Sequence, residues 1–190
     1  MSAFEIIAAA FGIVSVYLST RQNVWSWPTS LINNVMYLVY FFGAKLFALM
    51  ALNGIFAMIA IYGWYQWKFG GKGSTELTVT RIPPRLAAGL ATLCLGSMGT
   101  IWFVLEHHTE DAAPVMDAFF FAVSLVAQYM MARKFYECWW IWVAINCVAV
   151  PFFFLQKSYP TMVQYAVFLV LATQGWRYWR ASLSSSTVQG

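Results

Sequence analysis

The chain has 190 residues, 61% of them hydrophobic and 9% charged, with a formal net charge of +4. Soluble domains carry about 25% charged residues, so charges this sparse exclude a soluble globular domain of this size. The basic residues fall at the ends of apolar runs, where anionic headgroups favour them, so the positive balance calls for no nucleic-acid partner.

A helix needs about 20 mostly apolar residues to cross a bilayer, because every backbone group must be bonded within the segment. The sequence predicts an all-α integral membrane protein with seven such helices, near residues 3–19, 25–43, 46–68, 84–105, 115–133, 138–155 and 161–180. The first run lacks a basic leader, carries Glu5 and has Arg21 after the apolar stretch, so it reads as a retained helix rather than a cleaved signal. On the second, Trp27, Ser30, Asn34, Tyr37 and Phe41 recur at helical spacing and share a face. On the third, Asn53 stacks three turns before Trp64, with Ala57, Ala60 and Trp67 on the same stripe. The polar stretch GGKGSTELTVTRIPP follows; it lacks the glycine-to-lysine spacing of a phosphate loop and reads as a cytoplasmic connection.

The fourth helix carries no polar motif and reads as a linker. The loop after it holds Glu106, His107, His108, Glu110 and Asp111; adjacent histidines point apart, and no metal site is expected. The fifth helix carries Asp117 and Gln128, and the sixth a face of Trp139, Trp142, Asn146, Ala149 and Phe153. The seventh carries the stripe Tyr165, Leu169, Ala172, Trp176 and Trp179, with Gln164 near its start. Cys94, Cys138 and Cys147 have no ligand spacing and read as small apolar residues. With seven helices, Arg21, Lys68, Lys72, Arg81, Arg85, Arg133, Lys134, Arg177 and Arg180 share one side, against Lys45 and Lys157 on the other. The positive-inside rule then predicts a cytoplasmic C-terminus and an external N-terminus.

An internal repeat organises these segments. A gapless shift of 112 residues superposes GWYQWK on GWRYWR, Trp27 on Trp139, Asn34 on Asn146, Lys45 on Lys157, Tyr17 on Tyr129 and Arg21 on Arg133. The expected organisation is a three-helix repeat over 1–70, a loop and linker helix over 71–112, a second repeat over 113–182 and a tail over 183–190. One inverting helix between two three-helix units gives a 3+1+3 chain with parallel halves.

Polar side chains at bilayer depth are costly and usually face a bundle interior or a water-filled path. Asn34 and Asn146 lie mid-helix at equivalent places and, with Tyr37 and Trp142, are predicted to contact a substrate. The second predicted set is Asn53, Trp64 and Trp67 with Tyr165, Trp176 and Trp179, and Gln128 completes it as an uncharged donor and acceptor. The asparagines also fit interhelical hydrogen bonding, and the tryptophans fit an interfacial belt; their pairing favours a pathway. Catalytic motifs are missing, and the predicted interior of amides, hydroxyls and indoles suits binding rather than bond-making, so neither an enzyme nor a cofactor is expected.

WPTSLINNVMY (27–37), YGWYQW (62–67), DAFFFAVSLVAQ (117–128), CWWIWVAIN (138–146) and GWRYW (175–179) together resemble the PnuC family of bacterial vitamin transporters, over nearly the whole chain. The resemblance implies facilitated uptake of nicotinamide riboside across the inner membrane, with a cytoplasmic kinase trapping the product. It also implies an architecture similar to SWEET transporters, alternating access and a homotrimer. Relatives of the same fold carry thiamine and riboflavin, so thiamine or another flat vitamin is the alternative substrate; a SWEET-like sugar uniporter and a non-transporting membrane scaffold are the lesser readings. Asn53 and Gln164 depart from the family pattern.

Overall fold

Asn23, Pro83, Pro114 and the lysine-bearing turns interrupt otherwise continuous apolar sequence, and helices fill the runs between them. The computed structural model describes residues 3–43, 45, 47–71, 73–109 and 113–186; Lys72, Glu110 and Asp111 lie outside these, as does the side chain of Glu5. The described residues form seven helices: α1 Ala3–Thr20, α2 Ser26–Gly43, α3 Phe47–Phe69, α4 Pro84–His108, α5 Pro114–Ala132, α6 Cys138–Leu155 and α7 Tyr159–Ser186. Helix α7 runs past the expected 180 into the serine-rich tail, because nothing there breaks the backbone pattern even though hydropathy has fallen. Helix α4 likewise continues through Glu106 to His108.

Among the described residues four stretches, Leu49–Phe69, Pro84–His108, Pro114–Ala132 and Cys138–Leu155, are long and apolar enough by composition to cross a membrane. Helix α1 contributes a shorter apolar stretch, Ile6–Thr20. Polar residues interrupt α1 and α2, and Ser15, Ser19, Ser30, Asn33 and Asn34 among them face an internal cavity.

Helix neighbours close a ring. Helix α2 packs on α1 and α3, α6 packs on α5 and α7, and the circuit is completed by α1 against α7 and α3 against α5. Among the described residues α4 touches only α5 and buries no residue, so it rides outside the ring. In hydrocarbon, apolar faces gain little by meeting each other, and packing and hydrogen bonds select the neighbours. The bonds available are specific. Trp67 Nε1 donates to Met131 O at 3.1 Å, and Trp179 Nε1 to Ser19 O at 3.1 Å. Asn33 Nδ2 donates to Ala8 O at 2.7 Å and Ser15 Oγ to Ser26 O at 3.0 Å, fastening α1 to α2.

Positions 112 apart adopt matching local structure. The α2 and α6 bounds differ by that interval at both ends. The turns before them carry left-handed Gln22 (φ 57°) and Lys134 (φ 51°), and the turns after them left-handed Lys45 and Lys157, both at φ 58°. Trp27 meets Trp67 edge-on at 5.3 Å, as Trp139 meets Trp179 at 5.4 Å. Gly63 and Gly175 make these approaches possible: a Cβ on either would lie 2.5 or 2.6 Å from the facing indole.

The segment between α3 and α4 is partly ordered against the second half of the chain. Thr80 pairs with the α5–α6 turn in an isolated parallel bridge to Phe135, and Val79 is buried. Lys134, only 5% exposed, donates from Nζ to Leu77 O at 2.8 Å and sits 4.6 Å over the Trp67 ring. Burial lowers the Lys134 ammonium to about 8, against an opposing pull from Glu76.

Candidate functional site

A cavity of about 230 Å³ lies inside the helix ring. Helix α1 contributes Gly12, Ser15, Val16 and Ser19, and α2 contributes Ser26, Trp27, Ser30, Asn33 and Asn34. Across from them stand Ser124, Gln128 and Met131 of α5, and Trp139, Trp142, Ile145 and Asn146 of α6. Phe56 of α3 and Tyr165, Phe168 and Ala172 of α7 close the remaining sides. None of these twenty residues is charged.

Helical geometry fixes what the asparagines offer. Asn34 Nδ2 donates to Ser30 O at 2.8 Å, one turn back, and Asn146 Nδ2 donates to Trp142 O at 2.7 Å. Only an amide nitrogen can approach a carbonyl oxygen this closely, so the bond orients each side chain and leaves its oxygen as the acceptor for the cavity. Asn33 is held in the same sense by Ala8, past Gly12, where a Cβ would come within 3.3 Å of the amide.

The indoles offer the complementary groups. Among the described residues, Trp27 Nε1, Trp139 Nε1, Trp142 Nε1 and Ser26 Oγ are buried without a protein hydrogen-bond partner, and all four residues line the cavity. A buried unpaired donor costs roughly 1–3 kcal/mol, and all four of these atoms belong to residues of the cavity wall. Flat indole faces beside them favour a planar ring, and a cationic ring gains further attraction.

Of the residues expected from sequence, Asn34, Gln128, Trp142, Asn146 and Tyr165 line this cavity, and the other six do not. Tyr37 stacks on Phe41 at 5.7 Å. Asn53 Nδ2 is spent on Leu49 O, and Trp64 is 41% exposed on the outside of the bundle. Trp67 and Trp179 are almost fully buried, bonded to Met131 and Ser19, and form a layer beneath the cavity rather than its wall. Trp176 packs on Trp140 at 4.7 Å. The α3 and α7 stripes thus turn Trp67, Trp176 and Trp179 into packing and Trp64 outward, and only Tyr165 and Ala172 of them reach the cavity.

Ser15 and Ser19 of α1 and Ser124 of α5 were not singled out from sequence. Their signal was present: Gly12, Ser15 and Ser19 recur at steps of three and four in an apolar helix, and Ser124 precedes Gln128 by one turn. Among the described residues no group of three or more His, Cys, Asp or Glu could hold a metal ion.

A family model described as nicotinamide mononucleotide transporter matches residues 2–181. The chain belongs to that family. The nicotinamide riboside transporter PnuC of Escherichia coli (strain K12) is 26% identical over 204 residues, covering 94% of this chain and 85% of the relative. The riboflavin/roseoflavin transporter RibM of Streptomyces davaonensis is 24% identical, covering 92% and 83%. The crystal structure of the vitamin B3 transporter PnuC shares the fold with a TM-score of 0.74 at 20% identity, over 94% of this chain and 81% of that one. The PnuC resemblance drawn from the sequence motifs is therefore correct. The protein is a multi-pass membrane transporter of this family and not an enzyme.

Proposed function

We propose that the protein is a uniporter for nicotinamide riboside, with the cavity between α2 and α6 as its binding site. The observation that carries this reading is the cavity's lining: amide oxygens, unpaired indole N–H groups and hydroxyls, with no charged side chain. Ribose hydroxyls and a carboxamide match those acceptors and donors one for one in kind. A cationic pyridinium ring matches the indole faces.

The same lining separates the candidates. A mononucleotide brings a phosphate dianion, which calls for arginine, lysine or a cluster of backbone donors, and no cation lines the cavity. A flavin brings a tricyclic ring, and about 230 Å³ is already below the ~300–1,000 Å³ common for drug-sized ligands. Thiamine is flat and cationic and is the second reading. With no carboxylate or histidine in the lining, no side chain there carries a coupling proton, which favours transport down the substrate's own gradient.

The wider reading is a 3+1+3 chain of seven membrane-crossing helices in the bacterial inner membrane, N-terminus outside. Two three-helix halves rock about the cavity in the manner of SWEET transporters, and the protein assembles as a homotrimer. A cytoplasmic kinase traps the product, since a phosphate cannot return through an uncharged path. The contacts repeating every 112 positions support equivalent halves, and the side bearing Arg21, Lys134 and Arg180 supports the orientation.

Calorimetric titration of purified protein with nicotinamide riboside, nicotinamide mononucleotide, thiamine and riboflavin tests the assignment, followed by uptake into liposomes. Binding of the riboside without the mononucleotide is expected. Tight binding of the mononucleotide would sink the reading of the lining, and thiamine binding alone would move the substrate to the second reading.

A further inference from the structure

We infer that the segment from Leu77 to Ile82 is a strap that holds the two halves of the helix ring together on one side of the membrane. It must leave the α5–α6 turn before the cavity can open there.

The segment is the direct continuation of α3, and Leu77 N donates back to Trp67 O at 3.1 Å, so it belongs mechanically to the first half of the chain. Its other bonds all go to the second half. Thr80 N donates to Lys134 O and Tyr136 N to Thr80 O, both at 3.1 Å. Lys134 Nζ donates to Leu77 O at 2.8 Å, and Ile82 N to Glu137 Oε2 at 3.1 Å. Four bonds therefore cross between halves within six residues, two of them involving a charged side chain, the stronger kind. Lys134 also covers the ring of Trp67, and Trp67 in turn packs edge-on against Trp27, which lines the cavity.

The matching turn of the other half is fastened differently among the described residues. Gln22, 112 positions before Lys134 and equally left-handed, reaches α7 through one side-chain bond, from Nε2 to Ser182 Oγ at 2.8 Å. Among the described residues the strap thus adds a restraint at the α5–α6 turn to the paired contacts Trp67–Met131 and Trp179–Ser19. Any rotation of one half against the other that parts Trp67 from Met131 also has to break the strap, so it sets the closed side's stability without touching the cavity.

The test uses a reporter that needs no substrate. With Cys94, Cys138 and Cys147 replaced by alanine, Ser19→Cys places a thiol on the cavity floor, and a membrane-impermeant maleimide is applied from the strap's side. Lys134→Met keeps the stem over Trp67 and removes the bond to Leu77. Labelling at position 19 is expected to rise about tenfold, the factor for a lost charged hydrogen bond near 1.4 kcal/mol. A second reporter, Ala118→Cys in buried α5, is expected to label at an unchanged rate. An unchanged rate at 19, or an equal rise at both reporters, overturns the strap, the latter because it shows general loosening.

The second arm rests on the transport reading. In the same background, oxidised Thr80→Cys/Phe135→Cys should bind nicotinamide riboside but lose uptake, and regain it on reduction. Uptake that survives the cross-link overturns the strap. Should the reduced protein also fail to take up the riboside, the substrate assignment fails instead, and the labelling arm still decides the strap.

Discussion

Trp67 of α3 donates its indole N–H to the carbonyl of Met131 at the end of α5, and the bond recurs 112 positions later as Trp179 to Ser19, each at 3.1 Å. Each joins one half of the chain to the other. Replacing either tryptophan by phenylalanine keeps most of the ring and removes the bond between halves, while Met131 O still accepts from Lys134 N and Ser19 O from Gln22 N. Interhelical hydrogen bonds in membranes average ~0.6 kcal/mol with a maximum near ~1.7, so each variant should lose stability in that range. Thermal melts in detergent are expected to show similar losses for Trp67→Phe and Trp179→Phe. A large loss in one and none in the other would deny that the two bonds are equivalent.

The cavity's two asparagines should dominate affinity. Asn34→Leu and Asn146→Leu each remove an acceptor that no neighbour replaces, and each is expected to weaken riboside binding by more than about tenfold, or about 1.4 kcal/mol. Asn53→Leu and Trp64→Leu lie off the cavity and should bind within about twofold of the unmodified protein, roughly 0.4 kcal/mol. Titration of all four separates the sites. Weakening by the second pair alone would return the binding site to the α3 face.

Much of this was legible in the sequence because a repeat constrains it twice. Asn34 and Asn146 stand out together in the sequence because they recur at a fixed interval, and both line the cavity. Helix bounds followed for the same reason, as the turns at Gln22 and Lys134 interrupt equivalent runs. Four of the expected tryptophans do not line the cavity. Trp64, Trp67, Trp176 and Trp179 share spacing with cavity residues, but helical spacing gives a stripe without saying which neighbour it meets. Trp67 and Trp179 became packing because Met131 O and Ser19 O stand within reach of their N–H groups. The serines of α1 were passed over because a small hydroxyl barely disturbs hydropathy, and only the closing of the ring brings them to the cavity. The strap could not be foreseen at all, since it depends on Lys134 meeting a carbonyl 57 residues away.

Glycine at positions 63 and 175 is a requirement of the edge-on tryptophan pairs. An added Cβ would sit 2.5 Å from Trp27 or 2.6 Å from Trp139, too close for either ring to stay in place. Overpacking of this kind typically costs ~1–3 kcal/mol. Gly63→Ala and Gly175→Ala should each lower the melting temperature and, by pushing an indole into the cavity, weaken riboside binding as well. Alanine variants that melt and bind like the unmodified protein would show that the indoles have free room to move.

Lys134 gives the protein a pH dependence whose sign is fixed. Its folded pKa is lowered by burial to about 8, while an unfolded lysine titrates near ~10.4. Between those values the unfolded chain binds the proton more tightly, so stability contributed by this residue rises with pH across the window. The charged amine is disfavoured at neutral pH and the penalty disappears as it deprotonates. The absolute melting temperature sums every group in the chain, which makes it a poor measure. The difference between the unmodified protein and Lys134→Met isolates the group. Melts from about pH 7 to about pH 10 are expected to show the unmodified protein gaining on the variant, most steeply above about pH 8. A flat difference would mean that the bond to Leu77 and the Trp67 face compensate fully for burial.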